Sequence, residues 1–214
     1  MDRFSKKIDM EVCLRKGLYT ELTIMMAFIE QQNIQLDSYT SNFSSLIKNG
    51  GRGVSINNYH SNVSVSNISS EEYDLESTFK QDLPNYVRVS QVLMLWTMLE
   101  KTLGYIVKKL SQKKNIKFRN KGKKESIFIY NMKFLEEIDG KPNSKSYSEV
   151  VNFLNDNVRN VRNALVHDCQ PNVTHKYFEV IDGKIIISSN YVWEICISIE
   201  LLSRYLSHQP LAQD

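Results

Sequence analysis

Ser146-Tyr147-Ser148-Glu149-Val150-Val151-Asn152-Phe153-Leu154-Asn155-Asp156-Asn157-Val158-Arg159-Asn160-Val161-Arg162-Asn163-Ala164-Leu165-Val166-His167 is the stretch on which the fold turns. Tyr147, Val151, Leu154, Val158, Val161 and Leu165 recur at steps of four, three, four, three and four, the spacing of one helical face. A single amphipathic helix with that stripe against a core is predicted. Ser146, with Glu149 three residues on, reads as a capping box. Asp168-Cys169-Gln170-Pro171-Asn172 reads as the stop. The opposite face carries Asn152, Asn155, Asp156, Arg159, Asn160, Asn163 and His167. The helix closes on Arg162-Asn163 and His167: a fixed positive charge, an amide and an imidazole. By spacing alone these residues either decorate a helix end or form a chemical site.

Outward from this helix, the chain continues to read as helices. Downstream, Tyr177–Ile181 and Lys184–Ile187 flank Asp182-Gly183, a strong hairpin signal. A last helix is expected from about Tyr191 to Tyr205. Upstream, a shorter helix spans about Ser126 to Ile138 and ends at Asp139-Gly140. Before it lies a strong helix from about Tyr86 to Leu110, entered through a boundary at Asp82-Leu83-Pro84. Glu100 is the acid in the interior of that helix, among apolar neighbours. It either pairs with a buried cation or faces solvent. The first helix runs from about Ile8 to Gln32. Residues 35–70 are rich in serine and asparagine and read as a polar insertion between the first two helices. Val54, Ile56, Val63 and Val65 alternate with polar residues there, so this stretch is either a small hairpin or a mobile loop. His60, alone in a polar setting, reads as solvent-exposed.

Composition agrees with long helices. Only four prolines and eight glycines occur in 214 residues, too few for a many-turned β-sandwich. A hydrophobic share of 42% is enough to bury a core in one domain. Cys13, Cys169 and Cys196 are odd in number, widely spaced and without a CxxC, which supports neither a disulfide framework nor a zinc site. The first residues lead into no apolar run of signal-peptide type, and no run is long enough for a membrane span. A cytoplasmic setting without membrane attachment is expected.

Net charge is only +3, but its distribution is uneven. Residues 1–107 carry 10 basic and 12 acidic side chains, and residues 125–214 carry 8 and 12. Residues 108–124 carry 9 basic and none acidic, so the whole positive excess lies in that basic loop. Two lysines at a helix C-terminus complement its dipole. The remaining cations repel one another unless solvated or met by an anion. Lys113, Lys114, Lys117, Arg119, Lys121, Lys123 and Lys124 are the candidate phosphate-binding residues, and RNA is the expected partner.

No Walker A loop, dinucleotide-binding glycine pattern, HExxH, GxSxG elbow or clustered carboxylate set is present. Neither a metal nor a cofactor is expected. RNA can be cut without one, because its 2′-OH attacks the adjacent phosphate and expels the 5′-oxygen. The reaction needs a base, an acid and cations on the phosphate. Histidine suits the proton transfers and arginine the phosphate. One chain offers one well-placed histidine, whereas a symmetric pair would offer two in a shared cleft. In an ideal helix, residues five apart lie about 140° around the axis. Arg162 and His167 would then meet only if the last turn unwinds or Arg162 reaches around.

Arg162-Asn163 followed by three residues and His167 resembles the RNxxxH form of the Rx4–6H motif of the HEPN superfamily. The likeness covers about residues 86–207, including the stripe before the motif, the closing helix and the upstream acid Glu100. It implies an all-α, HEPN-like bundle of about five helices with a small β-hairpin before the last. It implies a homodimer in which two motifs face each other, and metal-independent endoribonuclease activity of the kind found in toxin–antitoxin and anti-phage systems. An antitoxin or defence-system protein would then be a further partner. By position, Arg162 and His167 would be catalytic, Asn163 supporting, and Glu100 placed to orient Arg162. Some members of the superfamily do not cleave RNA, so a non-catalytic module binding protein or nucleic acid is the alternative. A DNA-binding regulator is the third reading.

Overall fold

The computed structural model describes residues 10–49, 54–57, 62–65, 68–117, 119–142 and 144–207. The chain is largely α-helical. In order, α1 spans Met10–Asn49, β1 Val54–Asn57, β2 Asn62–Val65, β3 Ile68–Ser69, α2 Leu75–Ser77 and α3 Leu83–Lys114. Then come α4 (Ile127–Asp139), α5 (Lys145–Asn152), α6 (Arg159–His167), β4 (Phe178–Ile181), β5 (Lys184–Ile187) and α7 (Ser189–Leu206). π-helical segments at Thr78–Asp82 and Phe153–Val158 join α2 to α3 and α5 to α6. The chain divides into two compact units, residues 27–90 and the remainder.

In the larger unit, α1, α3, α4 and α7 contribute to the core alongside the α5–α6 stretch and the β4–β5 hairpin. Leu18 and Leu22 are buried on α1, and Leu95, Trp96, Leu99, Leu103 and Leu110 on α3. The Trp96 ring lies 5.6 Å from that of Phe128 on α4. Val192, Ile195, Ile199 and Leu202 bury one face of α7. Its Cys196 is also buried, and burial pushes the thiol up to about 12. Arg15 is 2% exposed and grips Asp139 with two donors, at 2.6 and 2.9 Å. It also donates to the Leu206 carbonyl at 3.1 Å, tying α1 to the C-terminal ends of α4 and α7.

The smaller unit is built on Phe43, Val65, Leu75 and Phe79, with Phe43 stacked on Phe79 at 5.3 Å. Its strands run antiparallel in the order β1-β2-β3. Val54 pairs with Val65 and Ile56 with Val63, the hairpin alternative of the sequence reading. The Gly50–Gly53 breaker and His60 lie outside the described residues.

Three sequence expectations are corrected. The first helix does not stop near Gln32 but runs to Asn49. Its serines and threonines are accommodated by local donation, as from Thr40 Oγ1 to the Leu36 carbonyl at 2.8 Å. Asp82-Leu83-Pro84 does not break the chain. Leu83 N–H bonds back to the Thr78 carbonyl, and this wider turn lets the helix absorb Pro84. The N-cap of the central helix is Ser144 rather than Ser146, its hydroxyl accepting from the Tyr147 N–H at 3.5 Å. Glu149 instead lies 3.6 Å from Lys145.

Candidate functional site

The motif helix is held from both sides. From Lys145 to His167 the chain is helical without a break, and Tyr147, Val151, Leu154, Val158 and Val161 are buried as the stripe requires. Beyond the π segment, Ala164 is buried and Leu165 only half-buried. Within that segment the Arg159 N–H bonds to the Leu154 carbonyl. The Asn155 carbonyl takes Arg159 Nε at 3.1 Å. The Tyr191 hydroxyl of α7 donates to Asn157 Oδ1 at 2.7 Å, anchoring the segment to the last helix. Burial, with Glu194 nearby, pushes the Tyr191 phenol well above its ordinary range. π turns leave backbone groups to side chains and rotate the helix beyond them, a geometry common next to functional residues.

Arg162 and Asn163 are brought together. Both are half-buried, and Arg162 Nη1 donates to Asn163 Oδ1 at 3.0 Å. This is the one hydrogen bond of the guanidinium among the described residues. His167 is exposed at the last position of α6 and makes no hydrogen bond or ion pair among the described residues. The helix stays regular to that point. Asp168 takes a left-handed conformation, φ 48° and ψ 51°, and Cys169 N–H closes on the Ala164 carbonyl at 3.1 Å. That is a Schellman end, which preserves the last turn. Arg162 and His167 therefore stand about 140° apart around the axis and about 7.5 Å along it.

Glu100 is half-buried on α3 and forms no ion pair with Arg162 among the described residues. The motif does not line the large groove of about 850 Å³ between α1 and α3, whose walls include Gly17, Met25, Met94 and Tyr105.

The second histidine cluster was not singled out by the sequence. His175 Nδ1 accepts the Tyr177 N–H at 3.3 Å, and Nε2 lies 3.3 Å from Glu194 Oε2. Its ring packs 5.3 Å from Tyr191 and 5.7 Å from Phe153. His175 is thus held by the Tyr177 amide and by aromatic packing, which leaves His167 as the accessible imidazole of the two described.

The basic stretch is built rather than uniformly open. α3 carries Lys113 and Lys114 to its end, both exposed and both engaged. Asn115 then turns left-handed, φ 52°, and Ile116 N–H returns to the Ser111 carbonyl at 3.1 Å. Farther on, Arg119 Nη2 lies 2.7 Å from Glu125 Oε1 and Lys133 Nζ 3.0 Å from the same oxygen. Lys121 Nζ donates to the Glu125 carbonyl at 2.7 Å. The Arg119 guanidinium sits over the Tyr130 ring at 5.2 Å. Its hydrogen bond, then that of Lys133, holds the Glu125 carboxyl down at about 2. Glu125 follows the basic stretch directly, so it was the one signal in the sequence that could have marked this arrangement.

Among the described residues, no three His, Cys, Asp or Glu side chains gather as a metal-holding set. No described helix is long and apolar enough to cross a membrane. Compared with known protein families, characterised proteins and solved structures, the chain matches none.

Proposed function

We propose that the chain is a metal-independent endoribonuclease of HEPN-like type, acting as a toxin or anti-phage effector. The observation that carries this reading is the state of the motif. Arg162 is oriented by a neutral amide and keeps its charge, while His167 stands accessible and unengaged on the same helix. An imidazole takes the 2′-OH proton as the oxygen attacks phosphorus. The P–O5′ bond breaks, and a protonated imidazole gives the leaving oxygen its proton. The products are a 2′,3′-cyclic phosphate and a 5′-OH. Arg162 donates to the non-bridging oxygens, where charge accumulates.

Two histidines are needed for the two transfers, and one chain supplies one at this helix end. A symmetric homodimer with two motifs in one cleft supplies the pair. The separation of Arg162 from His167 around an intact helix supports the same arrangement. Cytoplasmic RNA is the substrate in this reading, and a partner protein restrains the activity. The test is cleavage of RNA in the presence of EDTA. Wild type cuts and His167→Ala does not; equal activity in both rejects the assignment.

The lack of a Glu100–Arg162 ion pair among the described residues favours one second reading: a non-catalytic HEPN-like module that binds nucleic acid or a partner protein. It requires salt-sensitive binding that survives His167→Ala, with no cyclic phosphate product.

A further inference from the structure

The nine cations of residues 108–124 are not equivalent, and their differences assign a binding edge. Lys123 and Lys124 are the two central residues of a turn closed by Glu125 N–H on the Gly122 carbonyl at 3.1 Å. The carboxylate of Glu125 accepts the Gly122 N–H at 3.3 Å from the other side. The base of the turn is thus locked, and its tip presents two lysines. Lys117 follows the fixed end of α3. All three are exposed and make no hydrogen bond or ion pair among the described residues. Arg119 and Lys121 differ. The first is bound by a carboxylate and an aromatic ring, the second by the Glu125 carbonyl. A cation already matched by a carboxylate gains little by exchanging it for a phosphate.

We infer that Lys117, Lys123 and Lys124 form a preorganised edge for single-stranded RNA, from which the Glu125 carboxylate withholds Arg119. This rests on the reading of the chain as an RNA-handling protein. It separates Lys117, Lys123 and Lys124, which would contact the phosphates, from Arg119, which would brace the loop. A flexible tail of like charges would make no such division, because every cation would count alike.

The experiment is the salt dependence of binding of a fluorescent single-stranded homopolymer RNA to the full chain in its His167→Ala form, with immobilised heparin as a second polyanion. The triple variant Lys117→Gln/Lys123→Gln/Lys124→Gln is expected to reduce the slope of log K against log salt by about 2, at roughly 0.7 per phosphate contact. The single variant Arg119→Gln is expected to leave the slope unchanged. Glu125→Gln, which frees Arg119 and Lys133, is expected to raise it. A slope that falls with Arg119→Gln and holds with the triple variant overturns the edge while leaving RNA binding intact. Heparin binding that depends on the triple set, without RNA binding, overturns the RNA edge and the RNA reading together and leaves a general polyanion site. Binding to neither polyanion overturns both.

Discussion

Arg119 and Arg162 each have one close hydrogen-bond partner on their own stretch of chain, and the two partners differ in charge. Arg119 meets the Glu125 carboxylate at 2.7 Å, and Arg162 meets the Asn163 amide oxygen at 3.0 Å. A carboxylate fixes the guanidinium and cancels its field. An amide fixes it and leaves the field in place for an anion. The first arrangement makes a loop rigid, and the second makes a cation available. The basic stretch holds the denser charge of the two. The motif nevertheless holds an arginine whose charge is not cancelled by a carboxylate.

The largest expected effect tests the motif side. Arg162→Ala and His167→Ala should each lower the rate of RNA cleavage by about 10²- to 10⁴-fold, the range for losing a proton-transfer or phosphate-stabilising group. Arg119→Ala should leave the rate at saturating RNA unchanged. Asn163→Ala removes only the orienting bond and should reduce the rate by roughly tenfold. Asn163→Asp gives Arg162 the kind of partner Arg119 has, and it should reduce the rate further than Asn163→Ala. If Asn163→Asp matches wild type, the charge of the partner is irrelevant and the comparison fails.

Arg15 extends the comparison to a buried site. Arg15→Ala should destabilise the fold by about 3–5 kcal/mol in urea unfolding, because Asp139 loses its counter-charge while largely buried. Arg162→Ala, on a half-buried surface, should shift unfolding far less. Equal losses would mean that Arg162 is structural.

The loop side has a pH signature. The Glu125 carboxyl lies at about 2 in the folded chain, below the ordinary value of about 4.3 for a glutamate. Its stabilising pairing is fully present above the ordinary value and is lost as pH falls through about 2. Hydrogen exchange at the Gly122 amide should speed up across that window in wild type, beyond the intrinsic dependence, and show no such step in Glu125→Gln. The smallest effect is at the end of the motif helix. Asp168→Val, forced into φ 48°, should cost about 1–2 kcal/mol in thermal unfolding, whereas Asp168→Gly should be neutral or slightly stabilising.

Elements with a local chemical mark were legible. Asp182-Gly183 has positive φ at both residues, 49° and 79°, and sets the pairing of Phe178 with Ile187 and Ile181 with Lys184. α4 and α7 followed their apolar period to within a few residues. The second half of α1 did not, because serine and asparagine dominate its surface. Its buried positions Ile29 and Phe43, with half-buried Leu36 between them, are seven apart, a sparse stripe that composition obscures. Ser146 with Glu149 matched a capping pattern, yet the helix already begins at Lys145, with extended Ser144 as its N-cap. The π segment was invisible because its extra residue is absorbed without breaking the stripe through Leu154 and Val158.

At the site, the sequence marked Arg162, Asn163 and His167 but could not show which partner each would find. Glu100 was picked for its place among apolar neighbours, and pairing with Arg162 depends on tertiary placement that periodicity does not encode. Counting cations through Lys124 stopped one residue before the acid that organises them.

End-group analysis of RNA incubated with the purified chain in EDTA tests the central claim most directly. Wild type should release 2′,3′-cyclic phosphate and 5′-OH ends, and His167→Ala should release neither. Cyclic phosphate ends in equal yield from both chains, or intact RNA with both, would contradict the assignment of the Arg162–His167 helix end as a ribonuclease site.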